Sequence, residues 1–332
     1  MNKDRIVLAH GGGGILTREL VEKIIVPSIG GDKSTLPDAA PVAGGGGFFF
    51  TTDSFVVKPI FFEGGDIGSL SVHGTINDLA VSGAEPLALS LSLILEEGLE
   101  IEILKKVLES AGRTARECNV KIITGDTKVV SRGEADELFI NTAGIGVGRI
   151  DLEDSAISEG DRVILSGPIA EHGIAVMSQR QGIDLDTKIR SDSASLWPFV
   201  RALLDADIEI HKMRDPTRGG LAATLVELSD DFSVTTEIEE AKIPIRPGVR
   251  GACEMLGLDP LTVANEGKLV AFVSNSDADR AVDILKGVPG GGEAAVIGTV
   301  FPRRAFSVYL KTPYGGDRVI DMPYGEELPR IC

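Results

Sequence analysis

Short apolar runs alternate with longer stretches of helical periodicity along most of this chain, and that alternation constrains the fold more than any other feature. Leu87, Leu89, Leu91 and Leu93 are separated by smaller residues, which predicts a β-strand with one buried face. Apolar residues recur at helical spacing in two other stretches, ILTRELVEKIIV and IEILKKVLESAGRTARE. Because both halves of the chain show this mixture, the sequence predicts an α+β fold in which helices cover a sheet.

The same periodicities predict most of the remaining elements. In the first half they indicate further strands in RIVLAH, FFFTTDSF, VKIITGDTKVV and DELFINTAGIGVGRI. In the second half they indicate strands in RVILSGPI, LVAFVS, AAVIGTV and AFSVYL. Helices are predicted between these strands at residues 171–181, 195–206, 218–228 and 276–285.

The length of 332 residues predicts two domains, each with its own core. The acidic stretch DLEDSAISEGD precedes a new strand, so we place the boundary there and predict domains at 1–153 and 154–312. After Lys311 the sequence is rich in proline, glycine and acidic residues and has no helical or strand period. Residues 313–332 are therefore predicted to form a flexible tail, which would reach about 65 Å if fully extended.

Charge and cysteine content exclude several classes of protein. The chain has 33 Lys and Arg against 50 Asp and Glu, so its net charge of −17 would repel nucleic acids and anionic membranes. No segment approaches the ~18 consecutive apolar residues of a membrane helix, and the first residues show no signal peptide. Three widely spaced cysteines are neither a disulfide framework nor a zinc pattern. We therefore predict a cytoplasmic protein with no nucleic-acid or membrane partner.

Four aspartates of the first half lie in turn-like positions or at element ends, namely Asp38, Asp53, Asp78 and Asp126. Mg²⁺ bound to nucleotide phosphates takes one or two carboxylates per ion, so this set is suited to one or two ions. Lys58 and Lys128 each follow one of these acids and are suited to clamp a triphosphate. Taken singly, however, such aspartates are more typical of caps and turns and such lysines of the surface. Spacing alone does not establish that they converge.

Three further stretches suit anion binding or acid–base chemistry. HGGGG contains Gly12 and Gly13 and precedes a predicted helix, so it is either a phosphate-binding loop or a flexible turn. RDPTRGGLA offers a second helix start with two glycines. ANEGK places the amide of Asn265 and the carboxylate of Glu266 before an apolar strand. Glu266 would act as a general base if it is poorly solvated and is otherwise a solvated turn residue.

Together these stretches resemble the HypE family of hydrogenase maturation proteins, within the aminoimidazole ribonucleotide synthetase-like (PurM-like) superfamily. The resemblance extends from His10 to Cys332 and rests on HGGGG, LPDAAP, TTDSFVVKPIFFEGGDIG, GTINDLAVSGA, LILEEG, TGDTKVVSRGEAD, MRDPTRGGLA, CEMLGLDPL, ANEGK and LPRIC. It implies an N-terminal domain whose mixed sheet forms a β-barrel across a homodimer, followed by a C-terminal α+β domain. It also implies that ATP and Mg²⁺ bind mainly to the first domain.

The resemblance further implies a reaction on the terminal thiol. The partner carbamoyltransferase HypF loads a carboxamide onto Cys332, ATP activates the amide oxygen as a phosphate ester, and elimination leaves a thiocyanate. The cyanide then passes to an iron atom on the HypC–HypD scaffold complex and becomes a ligand of NiFe hydrogenase. In this scheme Glu266 takes the N–H proton and Lys128 faces the developing phosphate charge. The implied nucleotide contacts are Gly12, Gly13, Asp38, Asp53, Lys58, Asn77, Asp78, Asp126 and Asn265, and the four aspartates are also the implied metal ligands.

Two alternatives remain open from the sequence. A selenophosphate or aminoimidazole ribonucleotide synthetase would use a similar ATP site. The first commonly has a reactive cysteine or selenocysteine near the N-terminal glycine loop, but this chain has no cysteine before Cys118, and neither enzyme explains PRIC. A non-catalytic protein would instead use ATP to regulate docking of its tail. The dehydratase is favoured by the resemblance, since without the other motifs a cysteine on the last residue would be interpreted as incidental. With them, the terminal thiol has a role, because with no downstream chain it can enter a narrow pocket and leave again.

Overall fold

The computed structural model describes residues 5–29, 37–44, 46–152, 155–182, 189–325, 328 and 330–332. The expected domain boundary at residues 153 and 154 lies outside these ranges. The described elements form two large sheets, one before and one after this boundary, and both are accompanied by helices. This arrangement confirms the predicted α+β class. None of the described helices combines the length and apolar character needed to cross a bilayer.

The sheet of the first domain is mixed, with the strand order β1-β2-β7-β5-β6. Strands β5 and β6 pair in parallel, and the other neighbours pair antiparallel. Strand β6 lies at the edge of the sheet, and almost all of its residues are exposed. The strands of this domain, including the small β3-β4 pair, are β1 (Ala40–Pro41), β2 (Phe48–Phe55), β3 (Phe61–Phe62), β4 (Gly65–Asp66), β5 (Ala84–Glu96), β6 (Lys121–Val130) and β7 (Leu138–Gly148).

The predicted alternation in β5 is interrupted once. Leu89, Leu91 and Leu93 are buried as expected, but Leu87 is 43% exposed. The pairing of β5 with β7 shifts register between Pro86 and Ala88. Because side chains alternate between the two faces of a strand, such an irregularity turns the residues before it toward the opposite face. The prediction is therefore confirmed for three leucines and wrong for Leu87.

The helices of the first domain include one that periodicity did not predict. Helix α1 (Ile15–Leu20) continues through a π-helical turn and a final helical turn, α2 spans Ile67–Val81 and α3 spans Ile101–Glu117. Nearly every residue of α2 is buried, so the helix lacks the polar stripe that reveals a surface helix. Asp66 caps its N-terminus by accepting two backbone N–H groups. Helix α2 thus crosses the interior.

The sheet of the second domain has the order β14-β13-β10-β12-β8-β11-β9. Its predicted strands are present together with β9, β10 and β14, which the sequence pattern did not reveal. The strands are β8 (Arg162–Leu165), β9 (Ile210–Arg214), β10 (Val234–Glu239), β11 (Val270–Val273), β12 (Ala295–Pro302), β13 (Val308–Lys311) and β14 (Asp317–Ile320). The helices are α4 (Glu171–Gln181), α5 (Trp197–Asp205), α6 (Gly220–Asp231), α7 (Pro247–Leu256) and α8 (Ala278–Lys286).

Three large apolar clusters organise the interior. Val163 and Leu165 of β8 belong to one cluster with α6, whereas Ile164 between them belongs to another with α5 and α8. The second sheet is therefore covered by helices on both faces. A third cluster joins α2 of the first domain to α4 and α7 of the second, and it includes Leu328 and Ile331 near the chain end. The two domains thus share buried apolar side chains with each other and with the C-terminus.

Both ends of the chain differ from the predictions. RIVLAH is not a strand, because Leu8–Gly11 form a 3-10 helix and none of the described strands pairs with this exposed segment. At the other end, β14 pairs antiparallel with β13, so part of residues 313–332 belongs to the sheet. Ile331 is only 2% exposed, so the last residues pack against the protein in the state described here.

Candidate active site

A cleft of about 290 Å³ lies where the two domains and the chain end meet. Its lining includes Asp53 from β2, Asp78 from α2, Asp215 after β9, Glu266 before β11, and Cys332. These residues are far apart in sequence, and it is the packing of the two domains that brings them together. The cleft is therefore a polar cavity that contains both acids and the terminal cysteine.

A cluster of three carboxylates forms one wall of this cleft. Asp38, Asp78 and Asp215 each place an oxygen within 4.8 Å of the others. The hydroxyl of Thr51 lies 2.9 Å from Asp78 Oδ2 and 2.8 Å from the carbonyl oxygen of Asp38, which fixes the two acids relative to each other. Magnesium binds carboxylate oxygens, so the donor set fits a hard divalent cation.

Burial and mutual repulsion raise the pKa values of Asp78 and Asp215. The pKa of Asp215 rises to about 7, because burial disfavours the charged form and the carboxylate of Asp38 lies nearby. Burial, followed by the charges of Asp215 and Asp38, raises the pKa of Asp78 well above its ordinary value. Burial also raises the pKa of Asp53. A bound cation would relieve this repulsion, which is a second reason why the site fits Mg²⁺.

The charge balance of the cleft restricts what it can bind. Six carboxyl side chains line it, whereas the basic lining residues are Arg214 and Arg218. Arg214 Nη2 lies 3.1 Å from Asp38 Oδ1 and 3.9 Å from Glu227 Oε2, so much of its charge is already balanced. A bare triphosphate would meet a net negative wall. A phosphate ligand therefore fits this cleft only together with cations.

Glu266 is the most buried acid of the cleft. Its side chain is 2% exposed, and Oε1 has no hydrogen-bond partner among the described residues. Burial, followed by the charges of Asp215 and Asp53, raises its pKa well above the ordinary value. Buried polar atoms in native proteins are normally paired, so an unpaired carboxyl oxygen on a cleft wall indicates a missing ligand. It is suited to accept a proton from that ligand.

The segment that carries Glu266 is held from two sides. Asn77 Nδ2 donates hydrogen bonds to the carbonyl oxygens of Glu266 and Ala194, at 3.2 and 3.0 Å. The carboxylate of Asp192 accepts hydrogen bonds from the backbone N–H groups of Glu266 and Gly267, at 3.3 and 3.2 Å. The backbone position of Glu266 therefore depends on one side chain from each domain.

Asn77 and Asn265, for which the resemblance implies nucleotide contacts, lie in supporting positions. Both are almost completely buried, and their polar atoms are already paired with protein. Asn265 Oδ1 accepts from Ala170 N at 2.7 Å, and its Nδ2 donates to the carbonyl oxygen of Pro216 at 2.8 Å. In this structure the two amides therefore shape the backbone around the cleft and are not among its lining residues.

The two glycines of the predicted phosphate loop lie at the cleft and beside it. Gly13 lines the cleft with a φ of +74°, and a Cβ at this position would come within 2.7 Å of Arg218. A side chain is therefore excluded there both by conformation and by space. Gly12 lines a small adjoining cavity together with Leu328 and Ile331. The glycine loop thus contacts both the cleft and the chain end.

Three other predicted residues lie away from the cleft. Lys58 Nζ is 2.6 Å from Asp136 Oδ2. Asp126 and Lys128 are exposed on the edge strand β6, where Lys128 Nζ lies 2.6 Å from Asp126 Oδ2. None of the three is among the described residues that line the cleft. Within one chain the structure therefore brings Asp38, Asp53 and Asp78 together, without Asp126.

Four charged lining residues were missed by the sequence analysis: Arg214, Asp215, Arg218 and Glu227. The first three belong to MRDPTRGGLA, whose glycines were interpreted as a helix start. The two arginines near Asp215 were a local signal of a charged segment, but they do not show which groups that segment meets. Glu227 lies on α6 in an ordinary helical context, and nothing in its sequence surroundings distinguishes it.

The chain end is docked between the domains. The backbone N–H of Val56 donates to Cys332 O at 3.1 Å, and that of Lys58 donates to Arg330 O at 3.3 Å. From the second domain, His172 Nε2 lies 3.0 Å from Ile331 O. These contacts place the terminal cysteine on the wall of the acidic cleft.

The fold and the site together define a class of protein. Residues 36–148 match the N-terminal domain of the AIR synthase related proteins, and residues 158–311 match their C-terminal domain. The two matches cover most of the chain in the expected order. The chain is therefore an AIR synthase-related protein, which confirms the predicted PurM-like architecture.

Comparison with individual proteins narrows this class. "Carbamoyl dehydratase HypE" from Rhizobium leguminosarum bv. viciae is 49% identical over 99% of this chain and 95% of its own length. The chain belongs to the HypE family of hydrogenase maturation proteins. A chain in a crystal structure of a HypE–HypF complex superposes with a TM-score of 0.86 at 42% identity, covering 92% of this chain and 99% of that chain. A crystal structure of HypE in complex with ATP gives a TM-score of 0.84 at 43% identity, covering 99% and 100%.

Proposed function

We infer that this protein is an ATP-dependent carbamoyl dehydratase, which converts an S-carboxamide on its own Cys332 into a thiocyanate. One observation supports this function most directly: the terminal cysteine lines the same cleft as the carboxylate cluster and the buried Glu266. In the reaction the group S–C(=O)–NH₂ loses the elements of one water and becomes S–C≡N. The product supplies the cyanide ligand for the iron of NiFe hydrogenase.

The acidic wall is assigned to the nucleotide and its metal. ATP supplies the phosphoryl group that carries away the amide oxygen, which is otherwise a very poor leaving group. We propose that Asp38, Asp78 and Asp215 hold the accompanying Mg²⁺, with Asp53 on the same wall. Arg218 lines the same cleft and provides positive charge for phosphate oxygens.

Glu266 is proposed as the base of the reaction. An amide can become a nitrile only if both N–H protons leave, so a proton acceptor must contact the nitrogen. Oε1 of Glu266 is unpaired among the described residues, and the raised pKa makes the ionised group a stronger base than a solvated carboxylate. Cys332 holds the substrate through its sulfur, and the docked chain end places this residue on the cleft wall.

The groups carried on Cys332, a carboxamide and then a cyanide, require one partner that delivers and one that accepts. We propose that HypF delivers the carboxamide to Cys332 and that the HypC–HypD complex accepts the cyanide. The crystal structure of a HypE–HypF complex supports the first assignment, because its HypE chain resembles this one in fold and sequence. Cys332 must leave the cleft to meet either partner, so the chain end has to alternate between a docked and an extended position.

A homodimer is proposed from the edge of the first sheet. Strand β6 presents an unpaired edge within the described chain, and Ile123 and Val129 on it are 66% and 68% exposed. Long exposed edges with apolar side chains favour pairing with another chain. Joining two such edges would extend the sheet into a barrel across the dimer. Asp126 and Lys128 would then lie at the interface, so any role for Lys128 in catalysis depends on the second chain.

Intact-mass spectrometry tests the proposed function. Protein carbamoylated on Cys332 is expected to lose the mass of one water when ATP and Mg²⁺ are added together, and to keep its mass when either is absent. A Cys332→Ser variant is the control and should acquire no carbamoyl group. A carbamoylated chain that binds ATP but never loses water would contradict the dehydratase and support a docking protein instead.

The acid cluster predicts that stabilisation by Mg²⁺ increases with pH. The pKa of Asp215 is raised from 3.8 to about 7 in the folded protein, so between these values the folded state binds the proton more tightly than the unfolded state. In the absence of a cation, the contribution of protonated Asp215 to the stability of the folded protein is present at low pH. It is lost as the pH rises through about 7. Mg²⁺ binds the ionised carboxylates and compensates for that loss. Thermal unfolding with and without Mg²⁺ should therefore show a larger shift in Tm at about pH 8 than at about pH 5.5, and equal shifts would disagree with this assignment.

A further inference from the structure

The contacts of the docked chain end come from both domains, and most of them reach backbone oxygens. In the first domain, the N–H of Val56 donates to the terminal carboxylate of Cys332 and the N–H of Lys58 donates to the carbonyl of Arg330. The Arg330 side chain adds an ion pair, with Nη1 2.6 Å from Asp136 Oδ2. In the second domain, His172 contacts the carbonyl of Ile331 at 3.0 Å. The backbone oxygens of the last three residues, two carbonyls and the terminal carboxylate, are therefore all engaged when Cys332 lies in the cleft.

The hydrogen bonds of His172 determine which ring nitrogen carries the proton. A carbonyl oxygen can only accept, so Nε2 must donate to Ile331 O. Nδ1 lies 2.8 Å from Ser191 Oγ, and Ser191 Oγ in turn accepts from the N–H of Ser193 at 3.1 Å. The hydroxyl hydrogen of Ser191 is thus available to Nδ1. His172 is fully buried, and burial lowers its pKa, so a neutral ring with its proton on Nε2 fits every contact.

A second side chain of the same helix holds the preceding residue. Arg180 Nη2 donates to Arg330 O at 2.6 Å, and Arg180 Nε donates to Lys58 O at 2.7 Å. His172 and Arg180 lie at the two ends of α4, and they contact the neighbouring carbonyls of Ile331 and Arg330. Arg180 also connects this segment to the first domain, because Lys58 belongs to the loop after β2.

We propose that His172 and Arg180 are positioning residues for the terminal thiol, and that their hydrogen bonds increase the fraction of time that Cys332 spends docked in the cleft. This inference rests on the proposed function, because only a carrier thiol must be loaded outside and react inside. Tighter docking of the chain end favours dehydration and slows the carbamoylation of Cys332. Weaker docking has the opposite effects, since Cys332 must lie inside the cleft for the first step and outside it for the second.

Labelling of Cys332 in the full-length protein tests this proposal without any catalytic step. The probe is a polymer-linked maleimide too large to enter the cleft, and mass spectrometry of the C-terminal peptide gives the rate. His172→Leu leaves the Ile331 carbonyl without its donor, so we expect labelling to become about tenfold faster. Arg180→Gln changes a less buried side chain and should also accelerate labelling, which keeps the test valid if the histidine variant folds poorly. His172→Gln retains a donor near the position of Nε2 and should restore slow labelling in part.

The control and the catalytic readout separate this role from a general loss of stability. His211 lies in the second sheet and pairs with Asp161 at 2.7 Å, away from the chain end. His211→Gln should lower Tm without changing the labelling rate. In single-turnover assays, the His172 and Arg180 variants should dehydrate more slowly while accepting carbamoyl groups at least as fast as the parent protein. Unchanged labelling in both variants would overturn the proposal, whereas faster labelling in a protein that never dehydrates would refute only the proposed function.

Discussion

Replacing Glu266 with glutamine is expected to lower the rate of dehydration at Cys332 by about 10²- to 10⁴-fold, the usual contribution of a positioned general base. Glutamine has nearly the same shape, so the segment held by Asn77 and Asp192 should keep its position. The amide cannot accept the proton that the carboxamide must lose. The measurement is a single-turnover assay, followed by intact mass, on protein that is already carbamoylated.

The matched control is Glu227→Gln, which removes one carboxylate from the same cleft without touching the proposed base. Glu227 Oε2 lies 3.9 Å from Arg214, so this change should have only a modest effect on the rate. ATP binding by the Glu266 variant should be retained, because its carboxyl group is not among the three clustered acids. If the Glu266 variant dehydrated the carboxamide at the full ATP-dependent rate, Glu266 would not be the base of the reaction.

Replacing Asp215 with asparagine is expected to change stability and binding in opposite directions. At about pH 8 the ionised Asp215 is buried beside Asp38, and one unit of pKa shift corresponds to about 1.4 kcal/mol. Removing its charge should therefore raise the free energy of unfolding of the metal-free protein by about 1 to 2 kcal/mol. The same change removes a carboxylate from the cluster, so binding of ATP with Mg²⁺ should weaken by about 10²-fold.

Chemical denaturation and calorimetric titration of the same samples measure the two effects. Asp231→Asn serves as the control, because its carboxylate is half-exposed and pairs with Arg18 at 3.3 Å on the surface. That variant should leave both quantities nearly unchanged. If Asp215→Asn destabilised the metal-free protein and left nucleotide binding intact, the aspartate would be a structural residue, and the assignment of the metal site would be wrong.

Most of the elements could be predicted because each has a local cause. Helix α3 has one apolar face, and β2 and β7 have alternating or continuous apolar residues, so their periodicity is visible without knowledge of the fold. Helix α2 escaped detection because it is buried on all sides. Strand β14 is only four residues long and half charged, and it exists because β13 offers an edge to pair with. The partner of β14 is close in sequence, whereas the residues that bury α2 come from both domains.

The candidate site likewise combines residues that the sequence identified with residues that only the structure revealed. The sequence identified five candidate ligand-binding or reactive residues that the structure places on one cleft: Asp38, Asp53, Asp78, Glu266 and Cys332. Asp215 was missed because its importance arises from its proximity to Asp38 and Asp78, which no spacing along the chain reveals. Asn77 and Asn265 were implied as nucleotide contacts by the family resemblance, but only their contacts in the structure show that both support backbone segments.

The sequence by itself determined the α+β class, the order of most elements, the family resemblance and the presence of a thiol on the final residue. These features are encoded locally, by periodicity and by uninterrupted motifs. Only the tertiary structure decided which acids share a cavity, how their pKa values shift and where the thiol lies. Those properties depend on distances between groups from different elements and on how much water reaches them, and both are set by packing of the two domains against each other and against the chain end.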